Sequence, residues 1–152
     1  MIAGNNNIEP INVFLIGNNP IELSNIYEKL KEIRSKTYQT EIGFELRGLF
    51  KKIMKFNPAC ILIDDNVERS YMKKLTLKLA SNKHTKDIPI TILKNANRDS
   101  YITNAEEFVL KESVTAELLS RSIVNSIRLK KMRTRISLMY RKRKSQVKSW
   151  LS

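Results

Sequence analysis

Pro58-Ala59-Cys60-Ile61-Leu62-Ile63-Asp64-Asp65 is the stretch on which the reading of this chain turns. The apolar run Ala59–Ile63 is too short for a helix of ordinary length. It has no polar residue on alternate positions, so it predicts a central strand covered on both faces. It stops abruptly at Asp64-Asp65-Asn66. A strand buried on both faces needs helices above and below, and the flanking sequence supplies them.

Working outward, Ile11–Ile16 is a second short apolar run, ended by Gly17. Asn19-Pro20 reads as a helix start, with Asn at the N-cap and Pro in the first turn. Leu23, Ile26, Tyr27, Leu30 and Ile33 then fall at helical spacing. Thr37–Phe44 is strand-like. Leu46, Leu49, Phe50, Ile53 and Met54 predict a helix that ends near Asn57-Pro58. Beyond Asp65 a third helix carries Met72, Leu75 and Leu79 and runs out by Lys83–Lys86. Strands follow at Ile88–Leu93 and Glu107–Leu110, and a last helix starts at Val114 with Leu118, Leu119, Ile123 and Ile127 inward. Strands alternating with helices define an α/β protein with a doubly wound, five-stranded parallel sheet. Ligand sites in such sheets lie beyond the carboxyl ends of the strands, where strand order reverses. The residues to watch are therefore Gly17–Asn19, Asp64–Asn66, Lys94–Asn95 and Lys111–Glu112.

The chain has 152 residues, 28 Lys+Arg, 15 Asp+Glu, one cysteine and one histidine. That length fits one domain with an extension. A single cysteine excludes a disulfide framework, and a single histidine excludes a multi-His metal site within the chain. No secretory leader is visible, and the longest apolar runs fall far short of the ~20 residues of a membrane span, which predicts a cytoplasmic protein. Cys60 sits inside an apolar strand and His84 among Lys83, Thr85 and Lys86, so they form no nucleophile pair. Gly17-Asn-Asn-Pro lacks the glycines and lysine of a phosphate loop. Nothing in the sequence marks an enzyme.

The charge is uneven. Residues 128–152 hold ten basic residues and no acidic one, so most of the net +13 resides there. The organisation expected is a disordered lead-in over 1–9, a domain over 10–127 and a basic amphipathic helical tail over 128–152. In the tail Leu129, Met132, Ile136, Met139, Val147 and Trp150 form an apolar stripe that Arg143 interrupts. Arg133, Arg135, Arg141, Lys142, Arg143 and Lys144 are its candidate contact residues. Three uses are open: pairing of two chains through the stripe, nucleic-acid binding through phosphates, and adsorption to a membrane surface.

The strand ends resemble, in order and spacing, the receiver domain of bacterial response regulators, over about residues 10–130. Phe14-Leu-Ile-Gly-Asn-Asn-Pro20 is similar to the end of that family's first strand, and Pro58–Asp64 to its third strand, which ends in the phosphoacceptor aspartate. Ile88-Pro89-Ile90 resembles the lead into its fourth strand. Ala105-Glu-Glu-Phe-Val-Leu-Lys111 resembles its fifth, with the family's lysine. The resemblance implies a flavodoxin-like receiver fold, a two-component or phosphorelay role, and a histidine kinase or other signalling protein as partner. It places Asp64 at the phosphoacceptor position, Lys111, Lys94, Asn18 and Asp65 around it, and Phe108 at the aromatic switch position.

The departures are as informative. The family's two acidic residues that hold Mg²⁺ are matched by Gly17 and Asn18, and its Thr or Ser on the fourth strand by Lys94. Ten residues separate Lys94 from Ala105, which predicts a shortened or missing fourth helix. The expectation is a pseudo-receiver without catalytic residues, metal or cofactor, in which Lys94 and Lys111 both reach Asp64 and phosphorylation is impaired or lost. It would act by docking, with a homodimer through the C-terminal helix as one arrangement. The alternative is a nucleic-acid-binding regulator that uses the tail, and a third reading is a working phospho-switch with an unusual Mg²⁺ site. Without the resemblance, Asp64 is a strand-end carboxylate capping a loop and Lys111 a solvated lysine.

Overall fold

A computed structural model describes residues 9–95 and 105–151. In chain order the elements are β1 (Ile11–Ile16), α1 (Pro20–Glu32), β2 (Tyr38–Gly43), α2 (Leu49–Phe56), β3 (Cys60–Asp64), α3 (Arg69–Ser81), β4 (Ile90–Lys94), β5 (Glu107–Leu110), a single 3-10 turn (Lys111–Ser113) and α4 (Ala116–Leu151). The strands form one parallel sheet in the order β2-β1-β3-β4-β5. The predicted lead-in falls almost wholly outside the described residues. So does the link between β4 and β5, where the shortened or missing fourth helix was expected.

Alternation of side chains across the strands divides the core into two layers. Phe14, Ile16, Ile61, Ile63, Ile90 and Ile92 pack with α2 and α3. Val13, Leu15, Cys60, Leu62, Leu93 and Val109 pack with α1 and the first half of α4. All five residues of β3 are buried, as its unbroken apolar run requires. Strand order runs one way from β1 to β2 and the other way from β1 to β3, which puts the switch point beyond Ile16 and Asp64.

Helix starts follow the local chemistry. Asn19 caps α1, its Oδ1 accepting from the N–H groups of Ile21 at 3.0 Å and Glu22 at 3.3 Å. α2 starts after Gly48, whose φ of 74° suits glycine, and ends at Asn57 in the left-handed region. Leu46 lies outside α2 and packs beside the α2–α3 layer. β3 ends at Asp64, and β4 starts after Pro89, which has no N–H to give the ladder.

α4 runs unbroken from Ala116 to Leu151, about 54 Å at 1.5 Å per residue. It docks through Leu119, Ser120, Ile123 and Ser126, with the Ser126 hydroxyl bonded to that of Thr91. The expectation that Leu118 points inward is corrected: it is 45% exposed, because at 100° per residue it lies about 100° from Leu119. Contact with the sheet persists past residue 127. The buried carboxylate of Glu106 lies 3.5 Å from Lys130 Nζ and 2.5 Å from Arg133 Nη1, and Thr134 Oγ1 donates to Asp87 at 3.4 Å. From Arg135 onward every described residue is exposed.

Candidate functional site

The site lies where β1, β3 and β5 end. β3 carries Asp64 as its last residue, 1% exposed and on the α1/α4 face, opposite Leu93 in the register. β5 ends one residue before Lys111, which opens the 3-10 turn. Lys111 Nζ donates to Asp64 Oδ2 at 2.7 Å and to Glu22 Oε2 at 2.7 Å. Glu22 reaches the site from the first turn of α1, where the Asn19 cap fixes the helix and an acid complements the helix dipole. The other oxygen of Asp64 is also engaged: Oδ1 accepts from the Asn66 N–H at 3.0 Å and from Asn95 Nδ2 at 3.3 Å. Beside it, a cavity of about 250 Å³ is lined by Glu22, Asn25, Ile26, Lys29, Asn95, Lys111 and Glu112.

Burial of the Lys111 ammonium favours its neutral form. The hydrogen bonds and charges of Asp64 and Glu22 outweigh that, so the pKa of Lys111 is raised above the ordinary lysine value. The result is one cation shared by two carboxylates, without a second lysine.

The expected residues distribute as follows. Asp64 and Lys111 come together. Asp65 lies next to them, but its Oδ1 takes the Asn95 N–H at 3.2 Å and the Asn95 amide. Asn18 turns its amide nitrogen to the Asn66 carbonyl at 3.0 Å, away from the Asp64 carboxylate. The expectation that Lys94 reaches Asp64 is corrected. Asp64 pairs with Leu93, so Lys94, one residue further, projects to the opposite face. Its Nζ lies 5.6 Å from the centroid of the Phe108 ring. Phe108, at the switch position, is 46% exposed. Sequence reasoning missed Glu22, and it placed Asn95 among the strand-end residues without giving it a role. The signal for Glu22 was present: an acid three residues after an Asn N-cap, next to a strand end already under scrutiny.

A divalent cation of the Mg²⁺ type demands near-octahedral oxygen ligands, one or two of them carboxylates. The donors here do not fit it. The converging carboxylates of Asp64 and Glu22 are bridged by an ammonium, Asp65 is tied to Asn95, and Asn18 presents a donor to Asn66. Gly17 offers no side chain, and a Cβ there would lie 2.6 Å from Leu23 Cδ2, inside the core. Among the described residues no three His, Cys, Asp or Glu side chains converge as a metal site.

In the tail, Arg133 is held against Glu106, while Arg135, Arg141, Lys142, Arg143 and Lys144 are exposed and without ion pairs among the described residues. No helix among the described residues is long and apolar enough to cross a membrane.

No family model matches the chain, and no curated protein matches it. Solved structures do. A response regulator from Desulfuromonas acetoxidans aligns at TM-score 0.61 and 17% identity over 78% of this chain and 98% of its own. The receiver domain of a sensor histidine kinase from Pseudomonas aeruginosa PAO1, solved with magnesium in its active site cleft, aligns at 0.64 and 15% over 78% and 98%. A chemotaxis response regulator from Vibrio cholerae aligns at 0.63 and 14% over 77% and 98%. The chain therefore has the fold of the receiver domain, flavodoxin-like, as its strand ends led one to expect.

Proposed function

We propose that this chain is an atypical receiver-like signalling module of two-component type. It acts in the cytoplasm, by docking a signalling protein such as a histidine kinase, with phosphorylation of Asp64 impaired or lost and without enzymatic activity of its own. The observation that carries this is the position of Lys111 Nζ, 2.7 Å from both Asp64 and Glu22. Phosphoryl transfer to a carboxylate needs a free oxygen to attack and a cation to neutralise the phosphoryl oxygens. Here both oxygens of Asp64 are hydrogen-bonded, and the local cation is already neutralised by two carboxylates. The magnesium-bound Pseudomonas receiver domain shows that the fold can carry an ion in its cleft. This chain's donors favour an internal ion cluster in its place. Such a cluster holds the pocket in one state.

The test is intact mass after incubation with acetyl phosphate and Mg²⁺, with Asp64→Asn as control. The expected result is no added mass on the folded chain. A phosphoryl-sized gain that the control loses would establish a working phospho-switch and overturn the closed-pocket reading.

A further inference from the structure

Past Thr134 every described residue of α4 is exposed, and the helix has two distinct faces. Leu118, Ser122, Asn125, Leu129, Met132, Ile136, Met139, Arg143, Gln146 and Trp150 follow one another at alternating spacings of four and three, the repeat of a coiled-coil seam. This seam does not continue the face that packs on the sheet. At 100° per residue it lies about 120° around the helix from Leu119, Ile123 and Ser126. Nothing in the described chain covers its outer half: Ile136 is 61%, Met139 54% and Trp150 89% exposed. Arg128, Arg135 and Lys142 line one flank and Arg133 the other, with no acidic residue anywhere in 128–152.

We propose that this seam docks an acidic amphipathic helix of a partner protein, with apolar residues facing Met132, Ile136 and Met139, Glu or Asp along its flanks, and a carboxylate opposite Arg143. Charge complementarity selects this occupant. A parallel second copy would set Arg143 against its own counterpart and Arg128 against Arg133, with no acid to offset either. A membrane surface would take the basic face, but Arg143 would be carried with the apolar seam towards the acyl region. Nucleic acid would use the charges and leave the apolar seam in water. The inference takes a protein partner from the docking reading and is otherwise independent of the state of Asp64.

The full-length chain is titrated at physiological ionic strength with a labelled peptide of about four heptads, Leu at its seam, Glu on its flanks and one Glu placed opposite Arg143. The same titration is run with a Lys-flanked version, with a random-sequence DNA duplex, and with vesicles of phosphatidylglycerol and phosphatidylcholine. Fluorescence anisotropy should show the acidic peptide binding with a Kd on the order of micromolar or tighter, and the Lys version not binding. Ile136→Asp should lower that affinity at least about tenfold with an unchanged thermal transition, since Ile136 is 61% exposed. Arg143→Glu should weaken it similarly, and a peptide with Lys at the opposing position should restore it. The proposal falls if the acidic peptide fails to bind, if Ile136→Asp leaves its binding intact, if the duplex or the vesicles bind more tightly, or if the chain dimerises through the seam. A phosphoryl gain on Asp64 would overturn the pocket reading alone, and loss of peptide binding the tail reading alone.

Discussion

A lysine held between two carboxylates at the rim of a core titrates as part of a cluster. Because the folded pKa of Lys111 is raised, its contribution to stability is complete below the ordinary lysine value of about 10.4 and is lost as pH rises through the folded value. In urea, the wild-type chain is expected to lose more stability than Lys111→Met across that alkaline range. At neutral pH Lys111→Met should cost about 1–3 kcal/mol, because it leaves the buried Asp64 carboxylate facing Glu22 unpaired. Adding Asp64→Asn should return part of that loss. Cys60 makes a second residue-scale prediction. Burial, only partly offset by hydrogen bonds to Thr91, pushes its thiol up to about 12. Folded protein at about pH 8 should resist a thiol-specific disulfide reagent and react once denatured. Asp64 and Lys111 were legible in the sequence because each sits where an apolar run stops. Glu22 was legible only as an acid in the first turn of a capped helix; its contact with Lys111 depends on tertiary packing. Lys94 was misread because two residues at equivalent strand ends can still point to opposite faces.

At the scale of elements, apolar runs and their Gly, Pro and Asn stops located every described strand and helix to within a few residues. The faces of α4 were less legible. Its sheet-facing positions include Ser120 and Ser126, whose hydroxyls bond to Tyr38 and Thr91, so apolar periodicity alone gave a blurred stripe and wrongly drew in Leu118. Beyond those positions, α4 is held at Lys130 and Arg133 by Glu106. Its Oε2 has the charge of Arg133 beside it but no aligned N–H, and Lys130 stands at the other oxygen. Glu106→Gln removes the charge that attracts both. Amide hydrogen exchange in residues 128–134 is expected to speed up, with exchange in β1 and β3 unchanged.

The whole molecule combines a nearly neutral domain with a helix of about 54 Å that carries eleven of the 28 basic residues. A compact chain of this length has a radius of gyration of about 15 Å. Small-angle scattering should return a clearly larger value for this one, and a version ending at Thr134 should approach the compact figure. That shortened version should melt within a few degrees of the full chain, because the described residues it removes are all exposed. The position of Trp150 has a consequence for the bench. It is the chain's sole tryptophan and is 89% exposed on the last turn of α4, so its indole meets bulk water whether the domain is folded or not. Selectively excited emission is blind to unfolding of the sheet, and a flat trace in denaturant would be the native behaviour of this protein. The same indole is a built-in lamp at the helix tip, and its colour shifts only when something settles there.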